Sequence, residues 1–145
     1  WENFDAISVI GTDHCPFRAA EKNQKYVSEI PMGVGGVEHS FEVMYNILGK
    51  KVIDKFTINP ARIFGLFPQK GTIFPSSDAD IVIFDPNKEH TIKENHSGSD
   101  YNIYKGITVK GAVESTICRG KFAVKNGIFM GKRGNGQFVK RNEYE

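Results

Sequence analysis

The sequence predicts an α/β segment followed by a β segment, and three observations predict it. Ala6 to Thr12 is a short β-branched run with both faces apolar, suited to a strand buried on two sides, as in a parallel sheet. Val37, Phe41, Met44, Tyr45 and Leu48 recur at helical spacing. From Phe67 onward, short strand-like runs alternate with turn formers.

Taken in order, Asp13-His14-Cys15-Pro16-Phe17 follows the first strand at once, and Pro16 prevents simple continuation. Arg18 to Glu29 is charged, weakly patterned and reads as a surface loop. Ile30 to Gly36 is glycine-rich and leads into the Val37–Leu48 helix. Lys50-Lys51 interrupt the pattern before a second apolar stretch ending at Phe56. Asn59-Pro60 predicts a short helix, with Asn as cap and Pro in the first turn. Strands are expected at Gly71–Ile73, Ala79–Phe84, Ile107–Val109 and Ser115–Cys118. Turns are expected at Pro75–Ser77, Asp85–Asn87 and Asn95–Asp100. Asn126-Gly127, between Phe122–Val124 and Ile128–Met130, is a two-residue hairpin signal. The division falls near Leu66–Lys70, giving units 1–66 and 67–145, the latter ending in an extended basic arm, 131–145.

Composition narrows the class. With 145 residues, 39% hydrophobic and 25% charged, the chain has the makeup of a folded globular protein. It is shorter than the roughly 250 residues of a complete eight-stranded β/α barrel. Nineteen Lys+Arg against seventeen Asp+Glu leave +2, too near balance for a nucleic-acid or anionic-membrane partner. No apolar run approaches the roughly 18 residues of a membrane span. Two cysteines without a CxxC pair fit neither a disulfide scaffold nor a thiolate zinc module, and point to a reducing, cytoplasmic setting. The opening Trp1-Glu2-Asn3-Phe4 reads like domain interior, so the chain is expected to be a piece of a longer protein.

Asp13 is the first candidate for chemistry. A carboxylate directly after a buried strand stands where α/β barrels place catalytic groups and metal ligands, although an Asp there also caps turns. His14 and Cys15 alternate sides with it and cannot all face one ion. His39 is expected on the polar face of its helix, and His90 and His96 flank a turn region. None forms HxH, HExxH or a related metal motif. Gly33-Val34-Gly35-Gly36 could cradle an anion or polar ligand, or simply allow a tight helix entry.

Several motifs occur in one order: Ile10-Gly11-Thr12-Asp13-His14-Cys15-Pro16-Phe17, Ile30-Pro31-Met32-Gly33, Asn59-Pro60-Ala61-Arg62-Ile63-Phe64-Gly65-Leu66, Lys70-Gly71-Thr72-Ile73 and Ser77 to Pro86. Asp100-Tyr101-Asn102, Lys110-Gly111, Arg119-Gly120-Lys121 and Gly131 to Arg141 continue the series. Together they resemble the C-terminal part of the dihydropyrimidinase and D-hydantoinase family of cyclic amidohydrolases. The resemblance implies a metal-dependent β/α (TIM-like) barrel beside a small β-sandwich, in a homotetramer. Residues 1–66 would then hold the last barrel strand, the substrate loop and following helices, and 67–145 part of the sandwich. It implies two zinc ions per full-length subunit, held by an HxH pair, a carboxylated lysine, two histidines and one aspartate. Asp13 matches that aspartate, as metal ligand and proton carrier, and Pro31, Met32 and Gly33 match the substrate loop. The other ligands do not occur in this chain. Many relatives carry Asn where Met32 stands, and Asn46–Ile58 is shorter than in relatives. The function implied is hydrolytic opening of a cyclic amide, a dihydropyrimidine or hydantoin. A non-catalytic scaffold of the same fold is the alternative, but relatives of that kind lack the metal aspartate.

Overall fold

The structure, a computed structural model, describes residues 1–141, and the last residues of the expected arm, 142–145, lie outside the described residues. A 3-10 turn at Phe4–Ala6 opens the chain, and residues 7–18 then run without regular secondary structure. The strand expected at Ala6–Thr12 is therefore not formed among the described residues. β-branched residues favour an extended backbone, but a strand also needs a ladder partner for its N–H and C=O groups. Here one backbone bond, Ile10 N–H to the Lys55 carbonyl at 3.2 Å, takes the ladder's place. Side chains add to it. Lys55 donates to the Ile7 carbonyl and lies 4.8 Å from the Phe4 ring centroid, and the Asn59 amide donates to the Ser8 carbonyl at 2.9 Å.

Four α-helices follow: α1 (Ala19–Lys22), α2 (Ser40–Leu48), α3 (Ile53–Phe56) and α4 (Ile58–Ile63). The Arg18–Glu29 stretch, read as a loop, carries α1, where the Glu21 carboxylate accepts the Arg18 amide at 2.7 Å. In this way the acidic side chain satisfies a free donor beside the helix start. The α4 helix begins one residue before its expected cap. Thr57 precedes it, Pro60 lies in its first turn, and Asn59 spends its side-chain amide on Ser8.

The second half is a four-stranded antiparallel sheet in the order β1-β2-β3-β4, with β1 Ile81–Thr91, β2 Thr108–Cys118, β3 Lys121–Lys125 and β4 Ile128–Phe129. The two strands expected at Ile107–Val109 and Ser115–Cys118 are one continuous strand. The turn expected at Asp85–Asn87 is instead a register irregularity inside β1, which lies at the sheet edge. An edge strand tolerates Pro86 there because a bulge needs no amide from it. No strand forms at Gly71–Ile73. The hairpin arises as expected: Asn126 (φ 51°) and Gly127 (φ 77°) supply the two left-handed residues of its turn.

Helix α2 lies against β2 and makes one link between the halves. Phe84 of β1 packs edge-on against Phe41 and Tyr45 of α2, with centroids 5.2 and 4.7 Å apart, and Phe41 meets Phe56 at 5.4 Å. Two α2 side chains one helical turn apart also serve β2. Glu42 accepts the Val113 amide at 2.7 Å, and Asn46 accepts the Lys110 amide at 2.9 Å. Both amides lie outside the Ser115–Cys118 stretch that pairs with β3. Val52, Ile92 and Val109 are fully buried, each contributing about 1.5–3 kcal/mol.

Candidate functional site

Asp13 stands at φ 45°, in the left-handed region that Asp tolerates better than most residues, and its side chain is exposed. The turn it makes sends His14 and Cys15 toward the glycine-rich loop. The Cys15 amide donates to the Val34 carbonyl at 3.1 Å. The His14 Nδ1 accepts the Gly36 amide at 3.0 Å and the Val37 amide at 3.3 Å. A ring nitrogen that accepts carries no proton, so the proton of the neutral ring sits on Nε2. Gly33 is pressed so closely on Cys15 that an added Cβ would lie 2.7 Å from the Cys15 Cβ. Its φ of 114° is open to glycine and to little else.

Lys22 completes the arrangement. From α1 its ammonium donates to the Pro31 carbonyl at 2.6 Å and to the Gly33 carbonyl, and it lies 5.2 Å from the Phe17 ring centroid. Met32, between the two clamped carbonyls, is 82% exposed. The four residues expected at the site therefore sit on two interlocked loops. Asp13 is on one, Pro31, Met32 and Gly33 on the other, and His14, Cys15 and Lys22 fasten them together. Lys22 escaped the sequence reading because its stretch has no apolar periodicity. His14 was seen only as a neighbour of Asp13.

Elsewhere the histidines engage carboxylates. His96 Nδ1 and its backbone amide both bond Glu38, each at 2.7 Å. Burial works to raise the Glu38 pKa, but the His96 bonds and the nearby His39 and His96 charges hold it below the usual carboxylate range. His39 does not lie on an open polar face. It sits largely covered, 3.9 Å from Glu38 and 3.7 Å from Glu42, and His90 lies 3.4 Å from Glu42. Among the described residues no group of three or more His, Cys, Asp and Glu side chains is placed to hold a metal ion. Asp13 can supply one ligand, and the described residues supply no complete set. A surface depression of about 470 Å³, lined by Tyr45, Asn46, Lys50, Pro86, Asn87 and Lys110, contains none of the predicted site residues.

An exposed carboxylate on one loop, locked to a glycine-rich loop with a solvent-facing residue at its tip, is an arrangement that can present acid–base chemistry to a ligand. Residues 1–123 match the amidohydrolase family, and the chain belongs to it. It is 36% identical over 151 residues to the D-phenylhydantoinase of an Escherichia coli strain, a match covering 96% of this chain and 33% of that protein. Among solved structures it is similar to the D-hydantoinase (dihydropyrimidinase) from Thermus sp., with TM-score 0.87 and 36% identity over 93% of this chain and 32% of that one. It is also similar to the dihydropyrimidinase from Brevibacillus agri, with TM-score 0.91 and 36% identity over 97% of this chain and 33% of that one. The chain thus spans about a third of the length of the relatives it matches.

Proposed function

We propose that this chain is the C-terminal part of a metal-dependent hydrolase that opens a cyclic amide ring, a dihydropyrimidine or a hydantoin. Residues 1–66 contribute the end of a β/α barrel with the substrate loop, and 67–145 contribute part of a β-sandwich. The observation that carries the reading is the interlock of the two loops, which keeps Asp13 and the Pro31–Gly33 segment together. Asp13 would provide one ligand to a zinc pair, and residues outside this chain would provide the rest. A metal bound there would supply Lewis-acid chemistry toward the amide carbonyl and a more acidic water. Asp13 accepts the proton of the attacking water as its oxygen bonds the carbonyl carbon. It then returns that proton to the ring nitrogen as the C–N bond breaks, leaving a carboxylic acid and a free amine or ureide nitrogen. Pro31, Met32 and Gly33 bound the substrate. The protein works in the cytoplasm as a homotetramer, with the arm from Gly131 lying on a neighbouring subunit. In keeping with that, Phe138 is 93% exposed on this chain.

The test is Asp13→Asn in the complete protein. The amide fits the same space but cannot accept the proton, so kcat for dihydrouracil or hydantoin should fall by roughly 10² or more with the fold retained. Near-normal kcat with full metal content would remove Asp13 from the mechanism.

A further inference from the structure

We propose that Lys22 is the positioning residue of the substrate loop. It would set the aim of Met32 by holding the carbonyls on either side of it. The inference rests on the reading of Pro31–Gly33 as substrate-binding.

One ammonium engages the carbonyls of residues 31 and 33. Across the trans peptide bond the Met32 N–H points opposite to the Pro31 carbonyl, so with that carbonyl on Lys22 the Met32 N–H faces away from the ammonium. That leaves a backbone donor on the other side of the loop, suited to a carbonyl of a cyclic amide. The Met32 side chain is largely exposed and makes no such selection by itself. A lysine suits the task. Its three donors on one compact head can serve two carbonyls at once, and charge-assisted bonds are roughly twice as strong as neutral ones. Helix α1 gives Lys22 a fixed base, and the Phe17 ring lies against its ammonium on the same loop as Asp13. The clamp thereby ties the substrate loop to the segment carrying the proposed proton carrier. Val34 and Gly36 are already held by Cys15 and His14, so Lys22 acts on the part of the loop those bonds leave unfixed.

The experiment compares wild type, Lys22→Met and Lys22→Arg in the complete protein. It measures kcat and KM for dihydrouracil and hydantoin, and amide hydrogen exchange across residues 30–36. In Lys22→Met, KM should rise about tenfold or more with kcat changed less than threefold, and exchange at Met32–Val34 should quicken. Lys22→Arg, which keeps a charged donor, should recover part of both. Unchanged KM and unchanged exchange in folded Lys22→Met would overturn the proposal, as would a fall in kcat alone. If Lys22→Met does not fold, Lys22→Gln carries the same criteria, its shorter reach serving one carbonyl and giving an intermediate KM. A wild-type protein that opens no cyclic amide would defeat the functional reading instead. The exchange comparison would then still decide whether Lys22 holds the loop.

Discussion

Gly33 is the position where one atom decides the geometry of the site. A Cβ there would meet the Cys15 Cβ at 2.7 Å and the Cys15 carbonyl oxygen at 3.0 Å, and the backbone angle penalises any side chain besides. Neither neighbour is the free end of a flexible chain, so the two loops would have to part. Gly33→Ala should destabilise the complete protein by about 1–3 kcal/mol, the range for a residue forced into a sparsely allowed conformation. Gly35→Ala is the control, since its Cβ would meet only ordinary contacts at 3.5 Å and beyond. Equal denaturation midpoints for the two variants would show that the loops are not interlocked. The contrast was out of reach in the string of letters, where Gly33, Gly35 and Gly36 look alike.

At the scale of elements, α2 does more than cover the sheet. Its buried Glu42 takes the Val113 amide of β2, so removing the carboxylate leaves a partly buried donor without its partner. Glu42→Ala should cost about 1–3 kcal/mol in the complete protein. Glu42→Gln keeps an accepting oxygen and should cost clearly less. Urea titration giving the same loss for both would mean that the Val113 bond contributes nothing. The helical spacing of Phe41, Met44, Tyr45 and Leu48 was legible because the apolar stripe follows from local geometry. The role of Glu42 was not. A glutamate between apolar positions reads as solvent-facing until a strand from some 70 residues away is laid against it.

For the whole molecule, ion pairs that join distant segments link stability to pH. Lys70 lies 2.7 Å from Asp78 and also bonds Asp80, whose other oxygen accepts the Arg119 amide at 2.7 Å. The Lys70 hydrogen bond lowers the Asp78 pKa. Burial works to raise that of Asp80, but Lys70 and the Arg119 amide outweigh it and hold it below the usual range. Glu38 is lowered in the same sense by His96. A carboxyl whose folded pKa is depressed binds fewer protons in the native state. Its contribution is therefore present above the unfolded pKa, about 4, and is lost as pH falls through the folded value. The complete protein should lose stability as pH drops below about 4, and Lys70→Met should shrink that loss while lowering stability near neutrality. Acid titrations followed by circular dichroism check this. Superimposable acid limbs for wild type and Lys70→Met would exclude the triad as a source.

The sequence alone determined the α2 stripe, the Asn126-Gly127 hairpin and the ordered motifs that led to the amidohydrolase family. Each depends on neighbours a few residues apart or on residue identity itself. The Ala6–Thr12 strand failed because extended propensity needs a partner ladder, and among the described residues the segment is fastened by Lys55 and Asn59 instead. The merging of two expected strands into β2, and the irregularity at Pro86, depended on which strand lay alongside and on which edge. The attachment of the Asp13 loop to the Pro31–Gly33 loop by His14, Cys15 and Lys22 came only with the folded chain. A hydrogen bond between residues twenty apart leaves no periodic trace, and it exists only once packing has brought donor and acceptor within about 3 Å.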